Sequence, residues 1–162
     1  MSEIIKSLIT DRSGADFLHW QTLRNKGYAA MTEAERAEWD AGNMKGAYNV
    51  SDLNRVGSAL NYMRDRLSEA SYISPFAFTA KTDWVASDMP TAADLANYLG
   101  YVSQIREAFS RYANTPPTPP NIGALNIQEA NNIEQIITDV STLLNNMLSA
   151  RYFCGDIFSG EV

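Results

Sequence analysis

The segment SDLNRVGSALNYMRDRL (residues 51–67) carries the clearest helical pattern in the chain. Its apolar residues recur at spacings of three and four, namely Leu53, Val56, Leu60, Met63 and Leu67. That spacing puts them on one stripe of an α-helix, with the arginines turned away from it. The pattern predicts a helix from Ser51 to about Glu69. Ser51 is the expected N-cap, because its hydroxyl can accept from the free N–H groups of the first turn.

Two more long helices are predicted downstream. Thr91 and Asp94 form a capping-box pattern, and the apolar residues behind them are Leu95, Leu99, Val102, Ile105, Phe109 and Tyr112. Asn126 and Glu129 open the next helix in a similar way. Its apolar face is the widest of the three and holds Ile133, Ile136, Ile137, Val140, Leu143, Leu144, Met147 and Leu148. This width predicts that it is the most buried helix.

Two shorter helices are expected nearer the N-terminus. One spans roughly Gly14 to Asn25 and ends at Gly27. The other opens with TEAE (residues 32–35), another capping-box pattern, and stops at Gly42. The segment YISPFAFTAKTDW (residues 72–84) predicts an extended crossover with a short strand, and the proline-rich residues 114–124 predict a stiff connector.

The predicted fold is therefore all-α, with one domain over residues 1–162. It is a helical bundle of three long helices plus two short N-terminal helices, joined by extended connectors. Residues 1–10 and 151–162 are expected to form terminal arms, because short apolar or aromatic segments there fall outside the main helical patterns.

Three helix starts resemble one another. RSGADFLHWQTL begins at Arg12, VSDLNRVGSAL at Val50 and IQEANNIEQII at Ile127, and they align Ser13 with Ser51 and Gln128. Convergence accounts for this likeness, because amphipathic helix starts share polar caps and an apolar stripe. An ancient helix repeat accounts for it as well, and both interpretations remain open from the sequence.

Composition excludes several functional classes. The chain is 45% hydrophobic and 20% charged, with a net charge of −6, and its lysines and arginines are scattered. Nucleic-acid binding requires clustered cations, so no nucleic-acid partner is expected. No segment approaches the length of a membrane span, and the stretch MSEIIKSLIT (residues 1–10) is too short and too charged for a signal peptide. A single cysteine, Cys154, fits synthesis in a reducing cytosol.

No pattern in the chain predicts catalysis. His19 is the only histidine, which excludes a histidine pair within one chain, and it is expected on a helix surface. Cys154 has no histidine near it in sequence and is expected to be a structural thiol. The acidic residues are spread over caps and solvent faces without a spacing that selects a pair. We therefore expect no enzyme activity, no cofactor and no metal site.

Aromatic residues are the strongest candidates for an interaction surface. The candidates are Trp20, Trp39, Trp84, Tyr152, Phe153 and Phe158. Exposed aromatic side chains often anchor protein interfaces, and the last three lie in the expected arm at 151–162. The alternative is that these side chains pack as satellite clusters under loops.

The order of several sequence blocks resembles an uncharacterised family encoded in the tail modules of phages and prophages of Gram-positive, Clostridia-like bacteria. The blocks are MTEAERAEWDAGNMKGAYNVSDLNRVGSALNYMRDRL, KTDW followed by MPT, QEANNIEQIITDVSTLLNNM and GDIFSGE. They extend from about Asp11 to Glu161 and contain no catalytic motif. The resemblance implies a virion structural protein of the baseplate or tail tip.

The resulting expectation is a structural subunit of a phage or prophage tail that works through protein–protein contacts. Its partners would be other virion tail subunits, in a homo-oligomer or a hetero-assembly. It would be made in the host cytoplasm and become part of the virion. The alternative is a binding module or adaptor for a host-surface carbohydrate or a receptor-binding protein, with Trp20, Trp39 and Trp84 as stacking residues.

Overall fold

A computed structural model of the chain describes residues 2–70, 76–88, 90–108 and 112–156, with the backbone alone at 124 and 151–156. All regular secondary structure in these ranges is helical. The helices are α1 (Glu3–Lys6), α2 (Gly14–Lys26), α3 (Glu33–Asp40), α4 (Val50–Glu69), α5 (Ala92–Glu107) and α6 (Ile127–Asp156). Short 3₁₀ turns occur at Tyr28–Ala30 and Ile122–Ala124. The described residues 76–88 contain no strand, so the predicted short strand is wrong there.

The hydrophobic core lies where α4, α5 and α6 pack against one another. Its fully buried members are Val56, Leu60, Met63 and Leu67 of α4, Val102 and Ile105 of α5, and Ile133, Ile136 and Ile137 of α6. Removing one such side chain from water contributes about 1.5–3 kcal/mol. The stripes predicted from sequence on these three helices thus supply the core.

The N-terminal residues pack on the rest of the chain. Helix α1 contacts α4 and α6, and Ile5 is buried in the main core. The backbone N–H of Ile9 donates to the Glu134 carboxylate at 2.6 Å. The expectation of an arm over residues 1–10 is therefore wrong within residues 2–10, because an apolar side chain and a backbone hydrogen bond hold this segment to its own chain.

The ends of the two last helices also differ from expectation. Helix α5 ends at Glu107, so Tyr112 lies beyond it and is exposed, while Phe109 lies outside the described residues. Helix α6 instead continues to Asp156. Residues 151–156, including Tyr152 and Phe153, therefore belong to this helix rather than to an extended arm. Phe158 lies outside the described residues.

Capping boxes begin the longer helices. The pairs are Ser13 with Asp16, Thr32 with Glu35, Asn49 with Asp52, Thr91 with Asp94, and Asn126 with Glu129. In each, one side chain accepts from the first turn and the other accepts from the backbone N–H of the cap. The N-cap of α4 is therefore Asn49, and the prediction of Ser51 is wrong, because the amide oxygen two residues earlier takes the free N–H groups.

This register also clarifies the three similar helix starts. Ser13 is an N-cap, whereas Ser51 and Gln128 are each the second residue of their helix. The sequence alignment thus pairs two equivalent positions, Ser51 and Gln128, with an N-cap, Ser13. What the three starts share in the structure is a capping box, for which convergence and an inherited repeat both account.

Helices α2 and α3 form a unit of their own beside the three long helices. Exposed polar pairs join them: Lys26 with Glu35, His19 with Glu38, and Tyr28 with Asp40. The hydrogen bonds from Lys26 and from the backbone of Thr32 lower the pKa of Glu35 to about 2. Solvent screens such exposed pairs, so each contributes little to stability. We call residues 14–40 the α2–α3 unit.

The connectors are held by side chains of the helices. The amide of Asn61 bonds both the N–H and the C=O of Ala80, and the amide of Asn54 does the same for Trp84. Gly57 lies against the carbonyl oxygen of Lys81, which a Cβ at this position would overlap. The segment 76–88 is thus fastened along α4 in an extended path, as the sequence pattern indicated.

Candidate functional site

Four charged side chains form a cluster between the N-terminal segment and two long helices. Arg12 donates through Nη2 to Asp52 Oδ1 at 2.8 Å and to Glu134 Oε1 at 2.6 Å. Arg55 donates to Asp52 and also to Glu134, at 3.1 Å from Nε and 2.8 Å from Nη2. The side chain of Glu134 is 0% exposed and that of Arg12 only 2%. We call these four residues the charged cluster.

The charged cluster balances two guanidinium groups against two carboxylates. Burial alone would lower the pKa of Arg12, but the carboxylates of Glu134 and Asp52 raise it above its ordinary value. The same balance raises the pKa of Arg55, since Glu134 and Asp52 outweigh the effect of burial. Both arginines therefore stay charged. Removing one member of such a buried cluster would leave an uncompensated charge and destabilise the fold.

The backbone of Arg12 is also hydrogen-bonded to α6. Its N–H donates to Asn131 Oδ1 at 3.0 Å, and its carbonyl accepts from Asn131 Nδ2 at 2.9 Å. Its guanidinium also donates to the carbonyl of Ile9 at 2.8 Å. The Nε group of Arg12 is buried without a hydrogen-bond acceptor among the described residues. Arg12 thus joins the segment before α2 to both α4 and α6.

Tyr48 continues this polar network toward α5. The Arg12 guanidinium lies 5.6 Å from the centre of the Tyr48 ring, and the Tyr48 hydroxyl is 2.6 Å from that of Tyr98. Burial and the charge of Glu134 raise the pKa of Tyr48. Burial and the neighbouring Tyr48 raise the pKa of Tyr98 well above its usual range. Both phenols therefore remain neutral in the folded protein at physiological pH.

A cleft of about 640 Å³ opens above this network. Its walls come from α2, the loop 45–48, the segment 122–126 and the first turn of α6. The large apolar and aromatic residues that line it are Phe17, Trp20, Tyr48, Ile122, Leu125 and Ile127. Pockets that bury a bound group usually enclose about 300–1,000 Å³ and are mainly apolar. The cleft has the size and character of a binding site.

The electrostatics of the cleft differ from those of the whole chain. The charged residues that line it are Arg12 and Lys45, and no carboxylate belongs to its described lining. The first residues of α6 line it too, and the carboxylate of Glu129 in the first turn offsets the partial positive charge of this helix N-terminus. Lys45 bonds the exposed Asp11 at 2.9 Å, which lowers the pKa of Asp11. Asp52 and Glu134 neutralise Arg12, so Lys45 is the cation in the described lining that no buried carboxylate holds.

The loop 45–48 packs closely against α2 at one wall of the cleft. Gly46 approaches α2 so tightly that a Cβ would overlap the carbonyl oxygen of Asp16. The rings of Phe17 and Trp20 are 5.7 Å apart, and the Arg24 guanidinium lies 5.2 Å from the Trp20 ring. Phe17 is 36% exposed, so the aromatic wall of the cleft is partly open to solvent.

The structure separates the predicted aromatic site residues. Trp20 lines the cleft, whereas Trp84 lines a smaller depression near α5 with Lys81 4.2 Å from its ring. Trp39 lies in the last turn of α3 and is half-buried. Tyr152 and Phe153 are residues of α6, and Phe158 is outside the described residues. The three tryptophans do not share one described pocket.

His19 lies on the surface, as the sequence predicted, with its Nε2 atom 2.9 Å from Glu38. Within the described ranges, no group of three or more His, Cys, Asp or Glu residues is arranged to hold a metal ion. None of the helices in those ranges has the length and apolar character needed to cross a membrane.

The sequence patterns predicted neither the charged cluster nor the cleft. One signal was present: Glu134 interrupts the apolar face of α6 beside Ile133 and Ile137. A carboxylate in such a place requires a buried cation, which indicates that some arginine must reach it. The sequence did not indicate which arginine, because Arg12 is more than a hundred residues away.

We compared the chain with models of known protein families, with curated proteins and with solved structures, and found no match.

Proposed function

We propose that this protein is a structural subunit of a phage or prophage tail or baseplate that works through protein–protein contacts, with the cleft as a principal contact surface. The resemblance of its sequence blocks to a tail-module family supports the assignment to a virion. In this proposal the three long helices form a bundle that serves as the frame, and α2, the loop 45–48 and the start of α6 together present the contact surface.

The observation that carries the proposal is the lining of the cleft. Buried interface centres are rich in aromatic and apolar side chains and poor in carboxylates, which is the composition found here. Phe17 and Trp20 of α2 contribute the aromatic part of this lining. Aromatic anchors of this kind supply much of the binding energy when they enter a desolvated contact.

A second observation supports a preformed contact surface. The charged cluster fastens Arg12 beneath the cleft to α4 and α6, and the hydroxyl pair of Tyr48 and Tyr98 joins the loop 45–48 to α5. A preorganised surface loses little conformational entropy on binding. This rigidity suits a subunit that has to dock in one fixed geometry.

The proposal is tested by locating the protein in purified particles. A tagged copy, visualised by electron microscopy with a tag-specific label, should decorate the tail tip or baseplate, and the purified protein should capture tail components from a phage lysate. The proposal is contradicted by a protein that stays monomeric, captures no tail component and is missing from the particle.

A carbohydrate-binding module is a second candidate, favoured by the combination of Trp20 with the amide side chains of Asn126 and Gln128 in the cleft. Apolar sugar faces stack on aromatic rings, and amides bond hydroxyl groups. Cell-wall glycans should then shift the tryptophan fluorescence of the intact protein, and Trp20→Phe should reduce the shift while Trp39→Phe should leave it unchanged. An unresponsive spectrum excludes this candidate.

A further inference from the structure

The geometry points to a specific occupant of the cleft: we propose that it binds residues 156–161 (DIFSGE) of a second copy of this chain. The inference rests on the proposed function, since it names the partner of the same cleft. Its consequence is head-to-tail association, in which each copy offers a cleft and an acidic, apolar segment.

The chemistry of the cleft selects the kind of segment it can accept. Phe17, Trp20 and Ile127 offer apolar contact, while Lys45 provides a positive charge that only the exposed Asp11 meets. A matching segment therefore combines large apolar side chains with carboxylates and carries no cation.

The segment 156–161 has this composition. Ile157 and Phe158 are adjacent, with Asp156 on one side and Glu161 on the other, and no lysine or arginine occurs from 156 to 161. The carboxylate of Asp156 or Glu161 can replace Asp11 at Lys45, because the existing pair is exposed and therefore weak. The two large side chains together fit within a cleft of about 640 Å³.

The length of α6 excludes the cleft of the same chain. The cleft lies at the first turn of α6, where Ile127 and Gln128 line it, and the segment begins where this helix ends. A helix of 30 residues is roughly 45 Å long. Six extended residues reach at most roughly 20 Å. The segment cannot return to its own cleft, so the cleft that it enters belongs to another copy.

Such a contact joins two different surfaces of the same molecule. A heterologous contact of this kind extends from copy to copy and produces a ring where the rotation closes, or a filament where it does not. A subunit of a tail or baseplate assembles in this way when several copies surround an axis.

The test uses two full-length variants with complementary defects. Phe158→Asp removes the apolar anchor of the segment. Ile127→Asp places a carboxylate in the cleft, where it repels the segment but is tolerated at the first turn of a helix. The matched controls are Ser159→Ala in the segment and Val85→Asp at an exposed apolar residue away from the cleft. Sedimentation velocity over a wide range of concentration measures association of each protein.

We expect the wild type and both controls to form species larger than a dimer with rising concentration. Each complementary variant alone should associate at least about tenfold more weakly, because one anchor of an interface is lost. A mixture of the two variants should form a one-to-one heterodimer and nothing larger, since only one functional segment and one functional cleft remain.

Three results would overturn the inference: a wild type that stays monomeric, a Phe158→Asp protein that associates as the wild type does, or a mixture of the variants that stays monomeric. The second result leaves the proposed function intact, because it shows only that the segment 156–161 is not the occupant of the cleft. Failure of the proposed function is recognised separately, by the absence of the protein from the particle and of tail components from its captures.

Discussion

Glu134 joins three separate parts of the chain through one carboxylate. It accepts from the Ile9 N–H, from Arg12 and from Arg55, and it is fully buried. Removing its charge leaves two guanidinium groups against the single carboxylate of Asp52. Loss of one member of a buried charged group is much more costly than its net contribution when intact, because an uncompensated charge remains.

We therefore expect Glu134→Gln to lower the free energy of unfolding by about 3 kcal/mol. Glu38→Gln is the matched control, since Glu38 pairs with His19 on the surface. The control should change the free energy by less than about 1 kcal/mol. Urea denaturation followed by circular dichroism measures both. Equal effects of the two substitutions would show that the charged cluster is not what fastens the N-terminal segment.

Tyr48 and Tyr98 predict how stability depends on alkaline pH. Burial raises the pKa of both phenols, so the folded state keeps their protons while the unfolded state loses them above pH 10. Their contribution to stability is complete below pH 10 and is lost as the pH rises toward the raised values. The protein should therefore lose stability steeply above pH 10.

A spectrophotometric titration of phenolate absorbance checks this directly. Exposed tyrosines should ionise first, and the last ones should ionise together with unfolding. The Tyr48→Phe, Tyr98→Phe double variant should lack this late ionisation. A wild-type titration in which all tyrosines ionise reversibly near pH 10, with the fold intact, would contradict the buried hydroxyl pair.

The capping of α4 by Asn49 can be tested by substitution. Asn49 Oδ1 accepts from the N–H groups of Ser51 and Asp52, so Asn49→Ala should cost about 1 kcal/mol. Ser51→Ala is the neighbouring control and should cost less than Asn49→Ala, because the Ser51 hydroxyl donates to Asn49 Oδ1 at 2.6 Å but accepts from no N–H of the first turn. Thermal unfolding of the two variants separates them. A greater loss from Ser51→Ala would restore Ser51 as the cap.

Two helical glycines test how the segment 76–88 lies on α4. A Cβ at Gly57 would overlap the carbonyl oxygen of Lys81, whereas a Cβ at Gly100 of α5 meets nothing within 4 Å. Gly57→Ala should therefore destabilise the protein by about 1–3 kcal/mol through overpacking. Gly100→Ala should stabilise it by up to about 1 kcal/mol, since alanine favours the helix. Chemical denaturation of both variants provides the comparison, and a stabilising Gly57→Ala would contradict the close contact.

Sequence patterns predicted the helices well because periodicity and capping are local. The stripe from Leu53 to Leu67 and the capping box at Thr91 depend on residues only a few positions apart. Two helix ends were wrong for opposite reasons. No local signal stops α5 at Glu107, so its stripe was continued too far, whereas α6 continues beyond the last residue of its predicted apolar stripe, Leu148. The short strand predicted within residues 72–84 is not found in the described part, 76–84, where the amides of Asn61 and Asn54 bond the backbone of Ala80 and Trp84.

The candidate site could not be predicted in the same way. The cleft combines residues of α2, the loop 45–48 and the start of α6, which are brought together only by long-range contacts of Arg12 and Asn131. Of the aromatic residues selected from the sequence, Trp20 does line the cleft, although composition alone could not separate it from Trp39 and Trp84. The segment 2–10, expected to be an arm, packs through Ile5 instead.

At the scale of the molecule, the apolar cleft is the described surface through which we propose that the protein joins its partners. Amide hydrogen exchange of the assembled and the dilute protein, followed by mass spectrometry, tests this claim most directly. Assembly should slow exchange in residues 44–48 and 122–128, while residues 82–88, which include the exposed Val85, should exchange equally in both states. Exchange at the cleft that is the same in both states, with protection elsewhere, would contradict the account.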